Sequence, residues 1–176
     1  MNKSPMSKGS LIFVSVLTVL LMSGVGAMAA AKGCTMVGTW FGAGDSGITW
    51  MATNAPGPSA TAGEVNIEWV LMDATLGGFF PAAVRVTNAV GVWQKGSRQI
   101  FPYTWVAYAF DVNGALVYTA RASGVHTAVD CDHWNITYVL EIWLPSQDMN
   151  DDPPYFCAPG TATETRMPLV QATCPH

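Results

Sequence analysis

The chain has 176 residues, half of them apolar, with 11% charged and 11% aromatic, and 8 Lys and Arg set against 12 Asp and Glu give a formal net charge of -4. Such a composition excludes a disordered tail, a collagen and a charged coiled coil. It also contains no basic run, and a nucleic-acid groove needs clustered cations against phosphate, so no nucleic-acid partner is expected.

Lys3 and Lys8 precede an uncharged run from Leu11 to Met22, and a small-residue stretch follows that ends Ala27-Met28-Ala29-Ala30-Ala31. Basic, then apolar, then A-x-A is the order of a secretory signal peptide. Residues 1–31 are therefore expected to be a helical leader, cleaved after Ala29 or Ala31, and residues 32–176 a single domain long enough to bury a core. An uncleaved anchor is the alternative, because 11–31 is just long enough to span a membrane. Either way the protein is expected to be exported, periplasmic or extracellular in a bacterial cell. Export removes Lys3 and Lys8 and leaves the exported part more acidic than the whole chain. Cys34, Cys131, Cys157 and Cys174 all lie in that part, and an even count in an oxidising compartment predicts two disulfides. Their spacing fits no zinc pattern, and neither a metal nor a cofactor is expected.

Beyond the leader no segment carries apolar residues at helical spacing over three turns. Short runs of Val, Ile, Thr, Trp and Tyr recur instead between Gly, Asn, Asp and Pro clusters, which predicts strands over 36–42, 48–53, 64–72, 83–94, 99–112, 115–127, 132–144 and 155–169. The breaks include Gly44-Asp45-Ser46-Gly47, the Pro56 and Pro58 loop, Gly77-Gly78, Asn113-Gly114 and 146–154. Asn113-Gly114 is read as a two-residue turn, which sets Val112 against Ala115 and, stepping back, Ala109 against Tyr118, Trp105 against Ala122, Tyr103 against Gly124 and Phe101 against His126. If Gly96-Ser97 is a similar turn, Val86, Asn88, Val90 and Val92 join the same face. That face holds most of the aromatics and small residues and is read as interior. The other holds Arg85, Trp93, Tyr108 and Arg121. Trp134, Ile136, Tyr138, Leu140 and Ile142 alternate as cleanly along the next strand. One-sided burial on this scale belongs to antiparallel sheets, and a single sheet of eight strands avoids exposed edges by closing. The expected fold is all-β, an eight-stranded antiparallel up-and-down β-barrel, with a sandwich as the alternative.

Gly38-Thr39-Trp40 in the first strand resembles the G-x-W signature of lipocalins and of calycin barrels more broadly. The resemblance implies that Trp40 closes one end of the barrel beneath an Arg of the last strand, for which Arg166 is placed, in a cation–π contact. Gly91-Val92-Trp93-Gln94, Phe110-Asp111 before Asn113-Gly114, and Gly160-Thr161-Ala162-Thr163 before Arg166 are also similar to a group of small exported bacterial proteins of largely uncharacterised activity.

Ala107, Ala109, Ala120, Ala122 and Gly124 are too small to fill the middle of such a barrel. Either a ligand cavity lined by aromatics results, or Trp50, Trp69, Trp105 and Tyr138 fill the space. Asn88, Tyr103, Trp105, Tyr118, His126 and Tyr138 are the candidate ligand-binding residues, because an interior polar group needs a partner. Asp130, Asp132 and His126 near one connection suggest an acid/base rim, although aspartates beside a turn commonly form it. No G-x-S-x-G, H-E-x-x-H, P-loop or dinucleotide fingerprint occurs, so no catalytic residue is assigned. Asn135-Ile136-Thr137 fits a glycosylation triplet but lies inside a strand. Closure predicts a Cys34–Cys174 disulfide, which leaves Cys131 to Cys157. Trp93, Tyr108 and Trp143 fall on the outward face and suggest a homo-oligomer. The expected function is binding of a small apolar or amphipathic molecule, with a cyclase- or isomerase-type enzyme and a structural envelope protein as alternatives.

Overall fold

A computed structural model describes residues 33–59, 61–97 and 99–168. The expected leader 1–31 lies outside them. Nine strands follow one another with no helix among the described residues: β1 (Gly38–Gly44), β2 (Thr49–Pro56), β3 (Ala62–Leu71), β4 (Arg85–Val86), β5 (Ala89–Gln94), β6 (Ile100–Phe110), β7 (Leu116–Ala128), β8 (His133–Trp143) and β9 (Phe156–Arg166). Every pairing is antiparallel. β1 pairs with β2 and β9, and β6 with both β5 and β7, so the sheet meets itself in a closed ring of eight. The two-residue β4 continues the line of β5 along β6. Closure pairs each long strand with a neighbour on both sides, while β4 pairs with β6 alone.

The β6–β7 hairpin pairs Phe101 with His126, Tyr103 with Gly124, Trp105 with Ala122 and Ala109 with Tyr118, as the alternation requires. Its turn differs from the expected one. Asp111 N donates to Ala115 O, and the Asp111 carboxylate accepts from the amides of Asn113 and Ala115. Gly114 alone adopts a positive φ, of 83°. The connection is thus a longer turn closed by glycine, and the register shift beside Phe110 absorbs the difference.

The β5–β6 register departs further. Gly96 N donates to Ile100 O, so the loop is longer than the expected Gly96-Ser97 turn, and Trp93 pairs with Tyr103 and Gly91 with Trp105. An extra residue also stands between β4 and β5: Val86 pairs with Ala109, but Val90 pairs with Val106. This bulge inverts which side chains face inward. Ala89 and Trp93 are buried, whereas Val90, Val92 and Asn88 are exposed. Trp93 sits opposite Gly63, where a Cβ would collide with its indole.

The residues before β1 cross one end of the barrel with Cys34 and Met36 buried. Cys34 is disulfide-bonded to Cys131 in the β7–β8 turn, not to Cys174, which lies outside the described residues. Arg166 explains the route. It donates to the carbonyls of Thr35 and Val37, which turns the segment across the barrel end toward β7 and β8. Cys157 is at the far end, exposed and free rather than joined to Cys131.

Candidate functional site

Trp40, fully buried, seals the closed end. Its indole donates from Nε1 to Met36 O at 2.8 Å and meets Trp134 edge-on at 5.5 Å. The Arg166 guanidinium lies 4.2 Å from the Trp40 ring centroid. Phe101 packs edge-on against Trp134 at 4.9 Å and forms the next layer with Trp93.

Above this aromatic plug is a polar cluster that the sequence did not single out. Glu164 on β9 is 3% exposed, and its Oε1 accepts a 2.8 Å hydrogen bond from Trp50 Nε1. His126 Nε2 stands 3.1 Å from the other oxygen, Oε2, an ion-pair separation whose angle makes no hydrogen bond. Asn54, buried on β2, has neither amide atom bonded, and His126 Nδ1 is likewise without a partner. A small cavity of about 20 Å³ lies among Asn54, Trp50, Tyr103, His126 and Glu164. Burial pushes the Tyr103 phenol far above its ordinary value, and the Glu164 charge and then Tyr138 push it the same way. At neutral pH its hydroxyl is therefore protonated and able to donate.

Toward the other end the interior becomes apolar. A second cavity of about 60 Å³ is lined by Trp50, Ile67, Trp69, Tyr103, Trp105, Ala107, Tyr118, Ala120, Tyr138, Leu140 and Ile142, with Leu76 and Met72 from the β3–β4 loop. Trp50, Ile67, Tyr103, Trp105 and Ile136 line both cavities. Two glycines keep the centre open. A Cβ at Gly42 would collide with the Trp50 indole, and one at Gly160 with the Tyr138 ring, so both rings lie against the wall instead of across it. Tyr118 donates to Ala74 O, which anchors the loop, and burial followed by the Asp73 charge raises its phenol to about 12. The Asp73 carboxylate accepts from Thr75 N, Thr75 Oγ1 and Gly77 N. That network holds Leu76, Gly77 and Gly78 at positive φ, a conformation costly for the leucine.

Five of the expected ligand-binding residues, Tyr103, Trp105, Tyr118, His126 and Tyr138, face this interior. Asn88 does not, because the bulge turns it to solvent. Asp132 is exposed and Asp130 half-buried, and Asp130 binds His133 Nδ1 at 2.9 Å, while His126 faces Glu164. Of the aromatics expected outside, Trp93 is interior and Trp143 is covered by Arg121 and a bond to Asp152 O. Tyr108 alone stays exposed, at 42%. Glu164 and Asn54 were legible by parity. Glu164 is two residues before Arg166, and Asn54 four after Trp50, each therefore on the inward face of its strand.

Comparison of the chain with protein-family models and with curated proteins finds no match. The class rests on the fold, an eight-stranded antiparallel β-barrel consistent with a calycin-like architecture. The Cys34–Cys131 disulfide, buried at Cys34 and exposed at Cys131, fits an exported protein.

Proposed function

We propose that the protein is an exported barrel that binds one small apolar or amphipathic molecule in its interior. The observation that carries this reading is an aromatic-lined apolar cavity whose floor is formed by buried polar atoms without partners. Drug-sized ligands occupy about 300–1,000 Å³, so a cavity of about 60 Å³ points to a small molecule or to one end of a longer one. The Gly38-Thr39-Trp40 signature and the Arg166 stack support kinship with calycin barrels, whose interiors hold ligands.

A second reading is a cyclase- or isomerase-type enzyme. It is favoured by the Glu164 carboxylate standing 3.1 Å from the His126 imidazole at a buried site, a proton acceptor and donor within reach of whatever the cavity holds. Chemical change of the bound molecule distinguishes the two.

Native mass spectrometry of the oxidised protein, repeated under denaturing conditions, tests binding. Ala107 and Ala120 pair across β6 and β7 and both line the apolar cavity. Ala120→Leu fills it, and overpacking at such a site costs about 1–3 kcal/mol where no void takes up the added atoms and less where one does. The expected result is an extra mass in the wild type, lost on denaturation and missing from a folded Ala120→Leu protein. Ligand retained by the filled variant would place the site elsewhere.

A further inference from the structure

We infer that the polar floor of the barrel selects a ligand bearing a hydroxyl group, which rests on the reading that the interior holds a ligand. The inference comes from what the floor leaves unpaired. Glu164 Oε2 accepts no hydrogen bond although His126 Nε2 stands 3.1 Å away, His126 Nδ1 is unpaired, and the Asn54 amide supplies one unpaired acceptor and one unpaired donor, with the Glu164 and Asn54 side chains both about 97% buried. Whichever way the Asn54 amide is turned, the pocket presents both kinds of group.

A ligand head satisfies this set only if it both donates and accepts. A carboxylate or ketone cannot donate, leaves Glu164 Oε2 unpaired, and in the charged case meets a second anion. An ammonium cannot accept, and leaves the Asn54 N–H groups unpaired. A hydroxyl donates to Glu164 Oε2 and accepts from Asn54 Nδ2. The room suits one such group, since about 10–15 Å³ already admits a water-sized atom and the polar cavity measures about 20 Å³. The walls shared by the two cavities carry an attached apolar chain from the floor past Trp105 into the wider space.

The test uses four probes of matched length on the full chain with its disulfide intact: butan-1-ol, butan-1-amine, butanoate and 1-chlorobutane. Binding is followed by NMR through the indole N–H of Trp50, which is bonded to Glu164. The alcohol is expected to bind at least about tenfold more tightly than the others, which is what one buried group left unpaired is worth, and to shift the Trp50 signal. Asn54→Leu should remove that preference, so that the alcohol binds that variant no more tightly than 1-chlorobutane does. In Glu164→Gln the amide oxygen must take the Trp50 N–H, so its NH2 faces the pocket and butanoate should gain on the alcohol. Four probes binding within about threefold of each other, as when an ordered water occupies the floor, would overturn the inference while the binding reading stands. So would an alcohol preference that survives in both variants. If none of the four binds the wild type, the reading of the interior as a binding site fails and the inference fails with it.

Discussion

The guanidinium of Arg166 is held on four sides: by the Trp40 ring beneath it and by the carbonyls of Thr35, Val37 and Cys131, with Asp132 Oδ1 3.3 Å away. A planar, multiply donating cation is needed there, because the acceptors come from three directions around one ring face. Arg166→Ala is expected to destabilise the fold by about 2–4 kcal/mol, the sum of one cation–π contact and charge-assisted bonds to backbone. Arg166→Lys should recover less than half of that. Urea denaturation of the oxidised proteins gives both values, and an unchanged midpoint for the alanine variant would show that the cap is dispensable. Binding in the interior should be untouched, as Arg166 lines neither cavity. Trp40 and Arg166 were legible because Gly38-Thr39-Trp40 marks the first and the resemblance carried by that motif implies an Arg in the last strand, where Arg166 stands. Glu164 stands on the inward side of its strand by parity, but a carboxylate in a Thr-rich strand reads as surface, since charged residues are almost never fully buried unless paired. Its partners, Trp50 and His126, come from other strands, and no local pattern in the chain announces them.

The interior tyrosines give a second prediction at this scale. Burial raises Tyr103, Tyr118 and Tyr138 above the ordinary 10.0, with nearby negative charge adding to each. In the unfolded chain these phenols ionise near pH 10 while the folded chain still holds them neutral. Stability from this source is therefore fully present below about pH 10 and lost as pH rises above it. Urea unfolding at stepped alkaline pH should show that loss, and Tyr103→Phe should make it shallower. A variant that loses stability as steeply as the wild type would mean that Tyr103 does not resist ionisation.

Among the elements, the long strands were readable and the joints between them were not. Strict alternation in β6, β7 and β8 marked their inward faces, and the Asn113-Gly114 turn gave the pairing of β6 with β7; a one-residue slip of β8 would turn Trp134, Ile136 and Ile142 to water. The line of β4 and β5 carried no such constraint. Val86, Val90 and Val92 offered one apolar face, and Ala89, Gly91 and Trp93 offered another. The choice was made by a bulge at Thr87 and Asn88, where the Tyr108 amide bonds to Thr87 Oγ1 and Thr87 N to Tyr108 O. The Trp93 indole packs over Gly63 inside the barrel, and Val90 and Val92, each 60% exposed, are what that choice leaves outside. In the sequence the β3–β4 loop shows only the break at Gly77-Gly78. It takes its shape from local bonds to Asp73 and contributes Leu76 to the cavity, a long-range contact that composition alone does not disclose.

At the scale of the whole molecule the barrel closes in two ways, by β1 pairing with β9 and by the covalent link from Cys34 to Cys131. Closure of the sheet suggested a tie between the chain ends. The tie instead runs to the β7–β8 turn, because the segment before β1 is drawn across the barrel end rather than along β9. The link spans 97 residues, so it removes a large share of the conformational freedom of the unfolded chain. In the chain-entropy treatment a loop of about 100 residues contributes about 4.7 kcal/mol, which for a domain of this size corresponds to a fall in melting temperature of about 10–20 °C on reduction. Reductant and the double variant Cys34→Ser/Cys131→Ser should therefore lower the melting temperature by the same amount and not add to each other. Cys157→Ser should leave it unchanged, since that thiol is free and exposed. Were Cys157→Ser to reproduce the loss, the stabilising bridge would have to involve that residue. Were reductant to have no effect, the plug over the closed end would be held by Arg166 and by packing alone, and an oxidising compartment would not be needed for the fold.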